Sequence, residues 1–148
     1  MLGDHVIKPI VFPPGDLVAL VCGGRHYGAT WDEERLYWKV NNDERIFLDM
    51  TLTDLHARRG FTLIIHGAAS GADVLGEAWA LRSAIRAQAF PADWKRLKKG
   101  AGHARNVQML VEGKPRLLIA FKGDSGTRMM VDLARKAQVE VLTPGWSY

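Results

Sequence analysis

The apolar residues of this chain gather into short continuous runs, and between the runs they recur at every third or fourth position. LVALVCGG at 17–24 has no polar residue alternating with its apolar ones, so it reads as a strand buried on both faces. FTLIIHGA at 61–68, AQAF before Pro91, RLLIAF ending at Phe121 and VEVLTP near the C-terminus read as four further strands. The region from Trp31 to Arg59 places Leu36, Val40, Leu48, Leu52 and Leu55 at spacings that predict helix, interrupted near NNDE at 41–44. GADVLGEAWALRSAI predicts a second helix with Val74, Ala78, Leu81 and Ile85 on its apolar face. AGHARNVQMLVEG predicts a third, with Ala104, Val107 and Val111 inward and Gly113 at its end. Met130, Leu133, Ala134 and Ala137 mark the face of a last helix.

Strands that alternate with helices call for an α/β fold whose mainly parallel sheet of about five strands is covered on both sides. In such folds ligands bind beyond the carboxyl ends of the strands, where loops and helix N-termini collect. Three of those ends carry glycine and polar residues: GGRHYG, HGAASGAD and KGDSGT. Each alone is either a tight turn or a cradle for an anion, because free N–H groups at a helix start attract phosphate and glycine admits it closely. Three on one edge favour a phosphate or nucleotide pocket.

Composition narrows the class. At 148 residues, with 47% apolar and 24% charged, the chain matches a globular domain and excludes a disordered one. Its single cysteine, Cys22, excludes an internal disulfide and a multi-cysteine metal site, which points to a reducing cytoplasm. No apolar run is long enough to cross a bilayer, and residues 1–16 read as an N-terminal arm rather than a signal peptide. The five histidines show no ligand spacing, so neither metal nor cofactor is expected. The net charge of +4 is concentrated between Arg82 and Arg105, where Arg86, Lys95, Arg96, Lys98 and Lys99 also lie and Asp93 opposes them. That stretch is either a solvated face or a rim that attracts anions.

VCGGRHY, HGAASGADVLGEAWA, FPADW, AGHARNVQML and LIAFKGDSGT, in this order across residues 17–143, resemble the YpsA-like branch of the SLOG superfamily. That superfamily also holds the LONELY GUY phosphoribohydrolases and DNA-processing protein A. The resemblance implies one three-layer Rossmann-like domain over 17–148, a homodimer, and a nucleotide or nucleotide-derived ligand across the strand ends. Its phosphate would lie on Gly123, Asp124, Ser125, Gly126 and Thr127. Thr127 has an alternative reading as a helix N-cap. Ligand contacts are further implied for Gly23, Gly24, Arg25 and Tyr27 after the first strand, for His66, Gly67, Gly71 and Asp73 after the second, and for Arg105 and Asn106 on the third helix. His66 reads equally as a structural histidine and Asp73 as a first-turn carboxylate favoured by the helix dipole, with Glu77 one turn further on. Trp79 and Trp94 read as core or wall.

The phosphoribohydrolases use an arginine matching Arg105 and a glutamate three positions after the threonine. In this chain that second position is Met130, and a thioether carries no proton. Asp132 is turned to the other side of the helix. The leading expectation is therefore binding, for sensing or processing, of a nucleotide-type ligand. Two alternatives stand beside it: an N-glycosidase acting on nucleoside monophosphates or ADP-ribose derivatives, with Arg105 and Asp73 as its catalytic residues, and a DNA-binding protein using the basic stretch.

Overall fold

The structure, a computed structural model, describes residues 16–148; of the N-terminal arm, residues 1–15 lie outside it. Five strands, β1 (Val18–Cys22), β4 (Leu63–His66), β5 (Arg86–Ala89), β6 (Leu117–Ala120) and β7 (Glu140–Leu142), form one sheet in the order β5-β4-β1-β6-β7. Every pairing in it is parallel, with β1 between β4 and β6. A separate antiparallel hairpin is made of β2 (Ala29–Asp32) and β3 (Tyr37–Val40). The helices are α1 (Asn42–Arg59), α2 (Ala72–Arg82), the short α3 (Trp94–Leu97), α4 (Ala101–Gly113) and α5 (Ser125–Lys136).

Alternate residues of β1 enter two different cores, as the pleat requires. Ala19 and Val21 join Leu48, Leu52 and Leu55 of α1 and Trp79 of α2. Leu20 and Cys22 join Met109 of α4 and Met130, Val131 and Ala134 of α5. The result is a three-layer α/β arrangement with α1 and α2 on one face of the sheet and α4 and α5 on the other.

Four expectations are corrected. Residues 29–40 form a hairpin, not helix, and NNDE begins α1 instead of breaking it. Asp32 tightens the hairpin turn by accepting the Glu34 and Arg35 N–H groups, each at 3.0 Å. Trp31 faces Trp38 across the strands, with ring centroids 5.5 Å apart. The Asn41 side chain accepts the Glu44 N–H at 3.1 Å, which caps the helix start.

The buried face of α2 is Ala72, Asp73, Gly76, Trp79 and Ala80, whereas Val74 and Leu81 are exposed. Gly76 lets the helix press on β1, since a Cβ there would lie 2.9 Å from Val21 Cγ1. On α4 the fully inward residues are Ala101, Asn106, Met109 and Leu110, a face rotated from the expected one. Gly113 ends α4 as expected, and it also makes room for Ile65.

Candidate functional site

In the sheet order the chain runs one way from β1 through β4 to β5 and the other way to β6, so the crevice opens between the ends of β1 and β6. A cavity of about 730 Å³ lies there. The loops after β1, β4, β5 and β6 and the start of α4 form its walls. This volume falls within the range of pockets that hold a nucleotide-sized molecule.

The loop after β6 contributes most directly. Asp124 is the N-cap of α5, yet its side chain makes no capping bond, so among the described residues no side-chain cap closes the first turn of the helix. Ser125 and Gly126 are exposed on the cavity wall. A Cβ at Gly126 would meet nothing within 4 Å, so this glycine leaves the backbone open to an approaching ligand. Thr127 is 4% exposed, lines the cavity, and makes no side-chain hydrogen bond among the described residues. It sits inside the helix and is not its N-cap. Gly123 has a different purpose: a side chain there would collide with Thr127, so its absence lets the threonine tuck under the loop.

The loop after β4 has similar residues but is closed upon itself. Asp73 Oδ2 accepts the Gly67 N–H at 2.9 Å and the Ala69 N–H at 3.2 Å. The Ala68 N–H donates to His66 Nδ1 at 3.0 Å. An N–H can only donate, so Nδ1 is the accepting nitrogen and the ring proton sits on Nε2, which lies 2.9 Å from Glu77 Oε1. Three consecutive amides are thus taken by the protein itself. Gly71, at φ 78°, is required because a Cβ would run into the Gly24 carbonyl oxygen. Gly24 in turn donates its N–H to the Lys122 carbonyl at 3.1 Å and accepts from Tyr27 and Ala72. Gly23 crowds Ala72, where a Cβ would come within 2.6 Å of the Ala72 Cβ. These glycines join the strand-end loops to one another.

Arg105 crosses the cavity from α4. Its Nη1 donates to the Gly67 carbonyl and its Nε to Asn106 Oδ1 at 2.8 Å. Asn106 is buried and fixes the guanidinium plane. Burial pulls the Arg105 pKa down, opposed by the Asp73 carboxylate. The same burial pushes the Asp73 carboxyl up, and its hydrogen bonds from Ala69 and Gly67 and the nearby Arg105 guanidinium only partly offset this. Cys22 at the end of β1 is buried on the cavity floor, and its thiol is held well above its ordinary value by desolvation, with Asp73 adding to the effect.

Of the residues expected at the site, the structure brings Gly23, Arg25, Gly67, Asp73, Arg105, Asn106, Asp124, Ser125, Gly126 and Thr127 to this one cavity. It does not bring Tyr27 there: the ring is buried against Phe121 with centroids 5.4 Å apart, and burial raises its pKa to about 12. Gly24, His66, Gly71 and Gly123 support the walls from behind. Met130, where the phosphoribohydrolases have glutamate, lines the cavity while remaining 1% exposed. Asp132 points elsewhere, accepting from the Tyr148 hydroxyl at 2.9 Å.

The basic stretch divides. Arg82 pairs with Asp49 and Arg96 with Asp93, whereas Lys99 and Arg105 line the cavity. Trp94 stands on the cavity wall, one of the two places the sequence allowed it, but Pro91, Ala92 and His103 beside it were not expected there: the loop after β5 folds back over the site through two short turns with no periodic signal. No helix among the described residues is long and apolar enough to cross a membrane.

The chain is 32% identical over 113 residues to the Gene 61 protein of Mycobacterium phage D29, covering 72% of this chain and 90% of that protein. No solved structure matches it. Residues 17–97, which carry the first two glycine-rich loops and the turn over the cavity, match the family described as YAcAr. The chain belongs to the YspA, cpYpsA-related SLOG family.

Proposed function

We propose that the protein binds a nucleotide or nucleotide-derived small molecule in the β1/β6 crevice, with its phosphate on residues 123–127. The observation that carries this reading is the open start of α5. There an uncapped helix turn, the unobstructed Gly126 and the unpartnered Thr127 hydroxyl meet in one cavity with Arg25, Lys99 and Arg105. Helix-start amides and a partly desolvated guanidinium are complementary to a phosphate dianion. Asp124 at the rim is suited to ribose hydroxyls, which donate to a carboxylate. SLOG membership supports a ligand of the nucleotide type.

Thermal unfolding against AMP, ADP-ribose, cyclic nucleotides and NAD tests the proposal. A ligand at about a hundred times its Kd stabilises the fold by roughly 2.7 kcal/mol, and absence of any shift across the panel rejects binding.

Turnover is a second reading, favoured by one observation: Asp73 combines a raised carboxyl pKa with a position on the cavity wall beside Arg105. It requires free base to appear in the same tubes and to vanish in Asp73→Asn. Met130 argues for binding over hydrolysis, since no acid stands at that position.

A further inference from the structure

Four of the five tryptophans are accounted for by other rings. Trp31 meets Trp38, Trp38 also stacks on His26 at 3.8 Å, Trp79 meets His56 and Phe61, and Trp146 lies parallel to Tyr148. Trp94 has no ring partner, no cation over its face and no hydrogen bond on its indole N–H among the described residues. It is 59% exposed and stands on the wall of the cavity.

Its placement is built. Asp93 caps the short α3 by accepting the Arg96 backbone N–H at 3.1 Å and holds the Arg96 Nε at 3.1 Å, which fixes the turn that carries the indole. The six-membered ring then rests over Gly102 at the start of α4, where a Cβ would sit 3.5 Å from Trp94 Cη2 and 4.0 Å from Arg105 Nη2. One edge of the indole is therefore supported beside the guanidinium, while much of the ring stays open. An aromatic left in water without a partner gains most when a flat apolar surface covers it, and a nucleobase is such a surface.

From this we infer that Trp94 is the stacking platform for the base of the bound nucleotide, with the sugar spanning toward Asp124 and the phosphate at residues 125–127. The assignment rests on the binding function proposed above and adds to it the element that tells a nucleotide from a bare sugar phosphate.

Calorimetric titration with two probes, AMP and ribose 5-phosphate, separates the two proposals. The wild-type protein binds AMP more tightly than ribose 5-phosphate. Trp94→Ala weakens AMP roughly five- to hundredfold, the range of base–aromatic stacking, and leaves ribose 5-phosphate unchanged. Trp94→Phe restores most of the loss, whereas Trp94→Leu, apolar but not aromatic, does not. Equal losses for both probes, or full AMP affinity in Trp94→Ala, overturn the platform and leave phosphate binding standing. If neither probe binds the wild-type protein, the platform as assigned falls, while the wider nucleotide reading is decided by the panel above.

Discussion

The loops after β4 and β6 carry nearly the same residue types, yet they direct their backbone donors oppositely. After β4 the amides of Gly67, Ala68 and Ala69 are consumed by Asp73 and His66. After β6 the first turn of α5 has no side-chain cap, and its glycine is open. The first loop is a strut that positions Arg105 through the Gly67 carbonyl, and the second is the loop for which we propose the receptor role. A glycine-rich strand end is thus not by itself a phosphate site; the decisive matter is whether a local side chain has already accepted its N–H groups.

The contrast breaks most visibly at the glycines. Gly71→Ala must place a Cβ against the Gly24 carbonyl at a φ that side chains avoid, so it is expected to cost about 3 kcal/mol or more. Gly126→Ala meets open space, and its stability should be unchanged or higher by up to about 1 kcal/mol, the helix preference of alanine. Urea unfolding of the two variants measures the difference.

Asp73→Ala should cost about 2 kcal/mol, because two amides lose their acceptor while the removal of a buried carboxylate returns part of the loss. Asp73→Asn keeps one accepting oxygen and costs less. The pH dependence has a definite sign: the folded-state pKa lies above the unfolded one, so the native state holds the proton longer. Wild-type stability therefore falls, relative to Asp73→Asn, as pH rises from about 4 through the raised folded value. A constant difference between the two proteins across that window would contradict the desolvation account.

Thr127→Val sharpens the comparison from the receptor side. The replacement is close in shape and removes only a hydroxyl without a partner, so the free protein should keep its stability. AMP binding should weaken roughly tenfold or more, the loss of one hydrogen bond to a charged group. The corresponding change on the strut, Glu77→Gln, should leave AMP affinity within twofold.

The smallest effect belongs to a control far from both loops. Arg59 pairs with Glu140 through two bonds of 3.0 and 2.7 Å, and this depresses the Glu140 carboxyl. The pair is largely exposed, so Arg59→Ala should cost less than about 1 kcal/mol. Its contribution is full above the unfolded glutamate value, about 4.3, and disappears as pH falls through the depressed folded value.

Much of this architecture was legible in the sequence for a physical reason. Strands buried on both faces leave continuous apolar runs, so LVALVC, LIIH and LLIA announced the sheet and its direction. The hairpin at 29–40 was not legible as strand, since its residues are mostly exposed and the spacing of Leu36 and Val40 mimics a helix. The α2 face was misassigned because the core contact is made by Gly76 and Trp79, and an inward glycine gives no apolar signal. At the site, residue types put Gly126, Thr127, Asp73 and Arg105 at one strand-end edge, and all four line one cavity. They could not say which amides were already taken, nor that Tyr27 turns inward while Trp94 turns out. Those outcomes depend on hydrogen bonds between loops that lie far apart in the chain.

The most direct measurement is an amide NMR titration of the isotope-labelled protein with AMP. Binding at the receptor loop predicts large shifts of the Ser125, Gly126 and Thr127 amides, with those of Gly67, Ala68 and Ala69 nearly stationary. Shifts concentrated at 67–69 while 125–127 stay still would contradict the division of labour between the two loops, and a spectrum that does not respond to AMP at all would contradict its use as the bound nucleotide.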